Sequence, residues 1–178
     1  MKKEFDFIEC LSNGKAGEND VIKYLYDKYH NDWKFKYVGD DKEYQKKDID
    51  LLMINDDKEI SIEIKTDFTN YDNVFAEYFS SYELKTLGCF VKTEADYIIY
   101  YFINKGKMYI IPTLQMKELM YEKDWRIGKA LDKVKTKNGY VTKTSMGLLI
   151  PIKNILERIN LDDSIFNDCE VILWMYYV

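Results

Sequence analysis

At 178 residues, with 47% apolar and 32% charged residues, the chain has room for one compact α/β domain and is too short for two comfortable ones. Two prolines and eight glycines leave little material for long flexible linkers, and the composition is globular rather than disordered. The net charge of −5 hides a basic segment on an acidic body, no apolar run reaches the roughly 20 residues that cross a bilayer, and Met1 to Asp6 lacks a secretory apolar region, so a soluble cytoplasmic protein is expected.

The first element reads as a helix over residues 15–29, with Val21, Ile22, Leu25 and Tyr29 on one stripe. Glu18 falls on that stripe. A carboxylate facing inward is costly unless paired or bound to a cation, whereas an acid in a first helical turn is favoured by the helix dipole and can look outward. Residues 33–38 alternate Lys34 and Lys36 against Phe35 and Tyr37, the pattern of an edge strand, before the polar turn Gly39-Asp40-Asp41. Two strands over 48–54 and 59–65 flank the turn Asn55-Asp56-Asp57-Lys58, and a third strand is expected over 73–79. Residues 87–95 should hold a short helix. A hairpin is expected from 96–103 and 107–111 around Asn104-Lys105-Gly106, then a helix over 112–120.

Between residues 123 and 144 lie Lys123, Arg126, Lys129, Lys133, Lys135, Lys137 and Lys143 against Asp124 and Asp132, a local excess of five positive charges on a body near −10. This stretch reads either as a solvated lysine-rich loop or as a segment that grips phosphates. Residues 147–150 read as a strand and 151–159 as a helix opened by proline. The apolar end, 171–178, should be a buried strand or part of a partner interface. The whole is expected to be one domain over 1–178, with its core at about 15–103 and C-terminal strands and helices added from 104.

The catalytic menu is short. His30 is the single histidine, and Cys10, Cys89 and Cys169 are scattered without a CxxC pair. Histidine-based metal sites, Ser-His-Asp triads and cysteine zinc sites therefore have no support, and nothing frames a Cys-His dyad through His30. Phosphate-binding glycine motifs are absent from the sequence. Chemistry must come from carboxylates, lysines and a bound metal.

The alternation of the 59–65 strand puts Ile60, Ile62 and Ile64 on one face and Ser61, Glu63 and Lys65 on the other. A four-residue turn makes its neighbour antiparallel, so Asp50 can approach Glu63 and Lys65 across the ladder. Two converging carboxylates with an ammonium beside them suit phosphodiester hydrolysis around Mg²⁺. Lysine would orient or deprotonate the attacking water, or stabilise charge in the transition state. An alternating ion pair on a solvated face is the plainer reading of Glu63-x-Lys65 alone.

The ordered set of a helical Glu18, a strand Asp50 and Glu63-x-Lys65 resembles the core of the PD-(D/E)XK nuclease superfamily. The stretches Ile62-Glu63-Ile64-Lys65-Thr66-Asp67, Asn73-Val74-Phe75-Ala76-Glu77-Tyr78, Leu87-Gly88-Cys89 and Lys92-Thr93-Glu94-Ala95-Asp96-Tyr97 are similar to a phage-type, Holliday-junction-resolvase-like branch, over about 17–101. The motif proline is replaced by Ile49, the glycine of the T-G-N motif by Asp72, and the serine before Gly88 by Leu87.

The resemblance implies a restriction-endonuclease-like α-β-β-β-α-β core, a mixed sheet flanked by helices, and cleavage of DNA with Mg²⁺ or Mn²⁺. It implies that Asp50 and Glu63 hold the metal with the Ile64 carbonyl as a third ligand, that Lys65 is the motif lysine and that Glu18 is the assisting helical acid. Asp48 competes with Asp50, and the hairpin spacing favours Asp50. Glu77 matches a third-strand acid. A homodimer is a further expectation, since cutting two strands takes two sites. The competing readings are a non-catalytic DNA- or protein-binding module that keeps the fold, and a structural protein whose charges are only surface pairs.

Overall fold

The computed structural model describes residues 16–122, 124–136, 139–159, 166 and 172–173. In chain order these form α1 (Ala16–Tyr29), β1 (Lys34–Tyr37), α2 (Lys42–Lys47), β2 (Leu51–Ile54), β3 (Glu59–Asp67), β4 (Asn73–Ser81), β5 (Thr86–Leu87) and α3 (Cys89–Lys92). Next come β6 (Tyr97–Phe102), a 3₁₀ turn (Ile103–Lys105), β7 (Lys107–Pro112), α4 (Thr113–Glu122), β8 (Arg126–Thr136), β9 (Gly139–Pro151), α5 (Ile152–Arg158) and β10 (Ile172–Leu173). The fold is mixed α/β. Its backbone divides into two compact units, one of residues 1–70, 94–113 and 161–178 and one of residues 71–93 and 114–160.

The first unit is built on a six-stranded mixed sheet ordered β1-β2-β3-β6-β7-β10. β1, β2 and β3 are antiparallel neighbours, β3 and β6 run parallel, and β7 and β10 return antiparallel. One face carries the main core. Val21, Ile22 and Leu25 of α1, all fully buried, pack with Phe35, Leu51, Met53, Ile60, Ile62, Ile64, Ile99 and Ile110 from five strands. The stripe read from the sequence is thus the buried face of α1. The opposite face carries a smaller cluster of Val38, Ile49, Leu52 and Ala95.

α1 comes unusually close to β3. A Cβ on Gly17 would collide with the Thr66 side chain, so only glycine permits this approach, one residue beyond Lys65. The parallel start of β6 is fixed by a side chain: Asp96 Oδ2 accepts from Ser61 N and Ser61 Oγ, both at 2.8 Å, while Asp96 N donates to Ser61 O at 2.9 Å. Each such bond contributes about 1 kcal/mol net. Asp96→Ala should therefore destabilise the chain by about 1–2 kcal/mol in urea unfolding, and Asp96→Asn by less.

The second unit holds a four-stranded sheet ordered β5-β4-β9-β8. Here the sequence reading needs correction. Residues 73–79 do form a strand, but it pairs with β9 (Val74 with Ile150, Ala76 with Leu148) instead of extending the first sheet. The edge of β3 that a third strand would need is taken by β6. The basic stretch is also not a loop, because β8 and β9 form a long antiparallel hairpin from Arg126↔Leu149 to Thr136↔Gly139. Arg126 and Lys129 are exposed and Lys143 is half-buried, while Lys123, Lys137 and the side chains of Lys133 and Lys135 lie outside the described residues.

The expected helices over 87–95, 112–120 and 151–159 appear as α3, α4 and α5, with Pro151 as the N-cap residue of α5. The hairpin over 96–111 closes through Gly106, whose positive φ of 59° suits glycine. Of the apolar end, Ile172 and Leu173 pair with β7, and the rest of 171–178 lies outside the described residues. Among the described residues, no helix is long and apolar enough to cross a membrane.

Candidate functional site

Asp50 sits one residue before β2, where the β2–β3 ladder ends at Leu51↔Ile62. Its backbone continues the pairing for one more step: Asp50 N donates to Ile62 O at 2.9 Å, and Val38 N donates to Asp50 O at 2.8 Å. Its side chain then takes over the role of a strand. Asp50 Oδ2 accepts from Ile64 N at 2.9 Å, beyond the last ladder pair. A strand residue directs its N–H and C=O to the same edge. The Ile64 carbonyl is therefore directed toward the edge where Asp50 lies.

Alternation along β3 places Glu63 on the face away from the isoleucines, as the sequence predicts, but this is no solvated surface. Glu63 is only 3% exposed. Lys65 Nζ lies 2.8 Å from Glu63 Oε1, with the lysine side chain 37% exposed. The Glu63 carboxyl is pushed up to about 8, first by burial and then by the negative charge and hydrogen-bonding carboxyl of Asp50; Lys65 pulls the other way and does not prevail. At neutral pH Glu63 beside Asp50 and Lys65 thus favours its protonated form.

Asp50, Glu63, Lys65 and the Ile64 backbone are accordingly brought together. Asp48 is not equivalent: it is the C-cap of α2 in the left-handed region, φ 48° and ψ 64°, with its backbone N–H turned to Gln45 O and Tyr44 O. Glu18 is placed differently from the other three. It belongs to α1, on the isoleucine side of the sheet, and its Oε2 accepts a 3.0 Å hydrogen bond from Tyr37 Oη. Tyr37 pairs with Leu51, next to Asp50. Its phenol is held well above the usual tyrosine range by burial, by the Glu18 bond and charge, and by the charges of Asp50 and Asp40. It is a neutral donor at any working pH.

Sequence reasoning overlooked Tyr37. The available signal was its parity with the core residue Phe35, which turns a tyrosine on an edge strand inward.

Further along the Lys65 face, Asp67 Oδ2 accepts from Tyr100 Oη at 2.6 Å, and Tyr100 is the β6 partner of Lys65. In the second unit, Glu77 Oε2 accepts from Cys89 N at 3.4 Å, the first residue of α3. That contact gives Glu77 a structural use within its own unit. A cavity of about 250 Å³ lies at the opposite end of the sheet, bordered by His30, Trp33, Lys34, Ile54, Asn55 and Asp56, and contains none of the site residues.

Among the described residues, no group of three or more His, Cys, Asp or Glu side chains is arranged to hold a metal ion. Two carboxylates and a backbone carbonyl are a sparse donor set, all oxygen. That fits Mg²⁺, which keeps several waters and is commonly held by one or two carboxylates. It does not fit a thiolate or imidazole metal. Comparison with protein-family models, with curated proteins and with solved structures finds no match to this chain.

Proposed function

We propose that the chain is a metal-dependent deoxyribonuclease of the PD-(D/E)XK type, hydrolysing DNA phosphodiester bonds at Asp50, Glu63 and Lys65. The observation that carries this reading is the approach of Asp50, at the entry to β2, to Glu63 of β3, with Lys65 bonded to Glu63. A buried carboxyl beside a second carboxylate is unfavourable when ionised, and a divalent cation relieves that repulsion. Within the first unit, a helix followed by the antiparallel strands β1-β2-β3, with β6 parallel to β3, is compatible with a restriction-endonuclease-like core, β4, β5 and α3 intervening between β3 and β6 in the chain.

Asp50 and Glu63 would hold Mg²⁺ or Mn²⁺, with the Ile64 carbonyl directed to the same edge. The chemistry supplied by such an ion is Lewis acidity toward a phosphoryl oxygen and a lowered pKa for bound water. Lys65 is exposed enough to reach a substrate while touching Glu63. It orients the attacking water and offsets negative charge developing on the phosphoryl oxygens. Glu18 contributes from the α1 side as an assisting acid. Arg126, Lys129 and Lys143 of the β8–β9 hairpin provide phosphate contacts, an interaction that salt weakens.

Plasmid, branched and single-stranded DNA incubated with the full chain in Mg²⁺, Mn²⁺ or EDTA tests the reading. Cleavage of at least one substrate that EDTA abolishes is expected. Binding that is indifferent to metal, with no cleavage and no effect of Lys65→Met, would replace the enzyme by a non-catalytic DNA-binding module.

A further inference from the structure

We propose that Tyr37 is a positioning residue for the site: its hydroxyl fixes the Glu18 carboxylate and so ties α1 to the Asp50 end of the sheet. The inference rests on the metal-dependent reading above. Three contacts converge on this arrangement. Tyr37 Oη donates to Glu18 Oε2 at 3.0 Å, so one oxygen of the helical acid has a set direction. The residue after Tyr37 is locked to the proposed metal ligand through Val38 N to Asp50 O at 2.8 Å, so a shift of the β1 end is felt at Asp50. The residue before Glu18 is the Gly17 that lets α1 close onto Thr66, the neighbour of Lys65. Glu18 is therefore held to β1 by Tyr37, next to the point where Gly17 lets α1 approach β3.

Space for the hydroxyl is also specified. A Cβ on Gly39 would stand 2.5 Å from Tyr37 Oη and 2.7 Å from its Cζ. Glycine at 39 thus leaves the phenol where it meets Glu18. The ring itself packs against the main core, which gives Tyr37 a structural task that phenylalanine would keep. The hydroxyl is the part that phenylalanine would remove. A carboxylate held by a fixed donor keeps one rotamer, which is how outer partners orient groups around a metal.

The test uses the full chain and titrates Mn²⁺ calorimetrically into wild type, Tyr37→Phe, Glu18→Gln and the double variant, with Mg²⁺-dependent cleavage followed in parallel. Tyr37→Phe should bind Mn²⁺ about tenfold more weakly, in the range typical of lost outer partners, while losing only the net stability of one hydrogen bond. The double variant should be no worse than Glu18→Gln, because the hydroxyl acts through that carboxylate. Gly39→Ala, which displaces the hydroxyl without removing it, should move affinity in the same direction. Wild-type affinity in Tyr37→Phe, or a loss additive with that of Glu18→Gln, would overturn the assignment of Tyr37 alone. Absence of divalent-cation binding in the wild type would instead overturn the metal-dependent reading, and this inference with it.

Discussion

Glu63→Gln is expected to give a protein that is more stable than the wild type in EDTA at pH 8, and unable to cut DNA at any metal concentration. The physical cause is the environment of the carboxyl, 3% exposed and beside Asp50. Its folded pKa of about 8 stands above the ordinary value of 4.5. A carboxyl with a raised pKa favours the fold fully while it is protonated in both states, below the unfolded value. As pH climbs from about 4.5 toward 8, the unfolded chain ionises freely while the folded site resists, and that stability drains away. For this residue the loss is roughly 3 kcal/mol at pH 7. Glutamine keeps the shape and the acceptor for Lys65 and has no proton to lose. Urea unfolding in EDTA at pH 5 and pH 8 measures it: the wild type should lose stability over this interval more steeply than the variant. Equal slopes would show that Glu63 ionises in the fold as easily as in water.

Asp50 has two tasks, and two substitutions separate them. Asp50→Asn retains an oxygen that can accept from Ile64 N but removes the negative charge. It should abolish metal-dependent cleavage while leaving stability within about 1 kcal/mol of wild type. It should also lower the pKa of Glu63, since the charge of Asp50, which adds to burial in raising it, is gone. Asp50→Ala removes the acceptor as well. Ile64 N–H then loses its partner inside a sheet, which costs about 1–3 kcal/mol. Asp50→Ala should therefore be measurably less stable than Asp50→Asn. If the two variants unfold at the same urea concentration, the side-chain hydrogen bond contributes nothing.

α1 and the β2–β3 and β6–β7 hairpins of the first unit were legible because they combine a periodic apolar pattern with a recognisable turn. Ile60, Ile62 and Ile64 alternate into the core, and Asn55 closes its hairpin with side-chain bonds from Asp57 N and Lys58 N at 3.0 and 2.7 Å. α2 was not legible. It buries none of its residues, so no stripe marks it, and the one clue is Asp41, whose side chain caps Glu43 N. β8 carries no clean alternation, and its exposed Ile127 and Leu131 look like loop residues until β9 is laid beside them.

The division into two sheets lies beyond local reading altogether. β4 finds its partner β9 across some seventy residues of chain, and nothing in residues 73–81 distinguishes that partner from β3. At the site, parity alone placed Glu63 and Lys65 on one face and brought Asp50 to them. Parity could not reveal that Glu63 on that face is buried, because burial depends on distant residues. The same limit hid the link from Tyr37 to Glu18, a contact between side chains nineteen positions apart.

The central claim is that the carboxyl groups of Asp50 and Glu63 hold one divalent cation. Calorimetric titration of Mn²⁺ at pH 7, repeated in buffers of different ionisation enthalpy, counts the protons released on binding. Because Glu63 starts protonated, about one proton should leave per ion bound by wild type, and Glu63→Gln should bind far more weakly and release almost none. Binding of undiminished strength in Glu63→Gln, or binding by wild type with no proton released, would contradict the account.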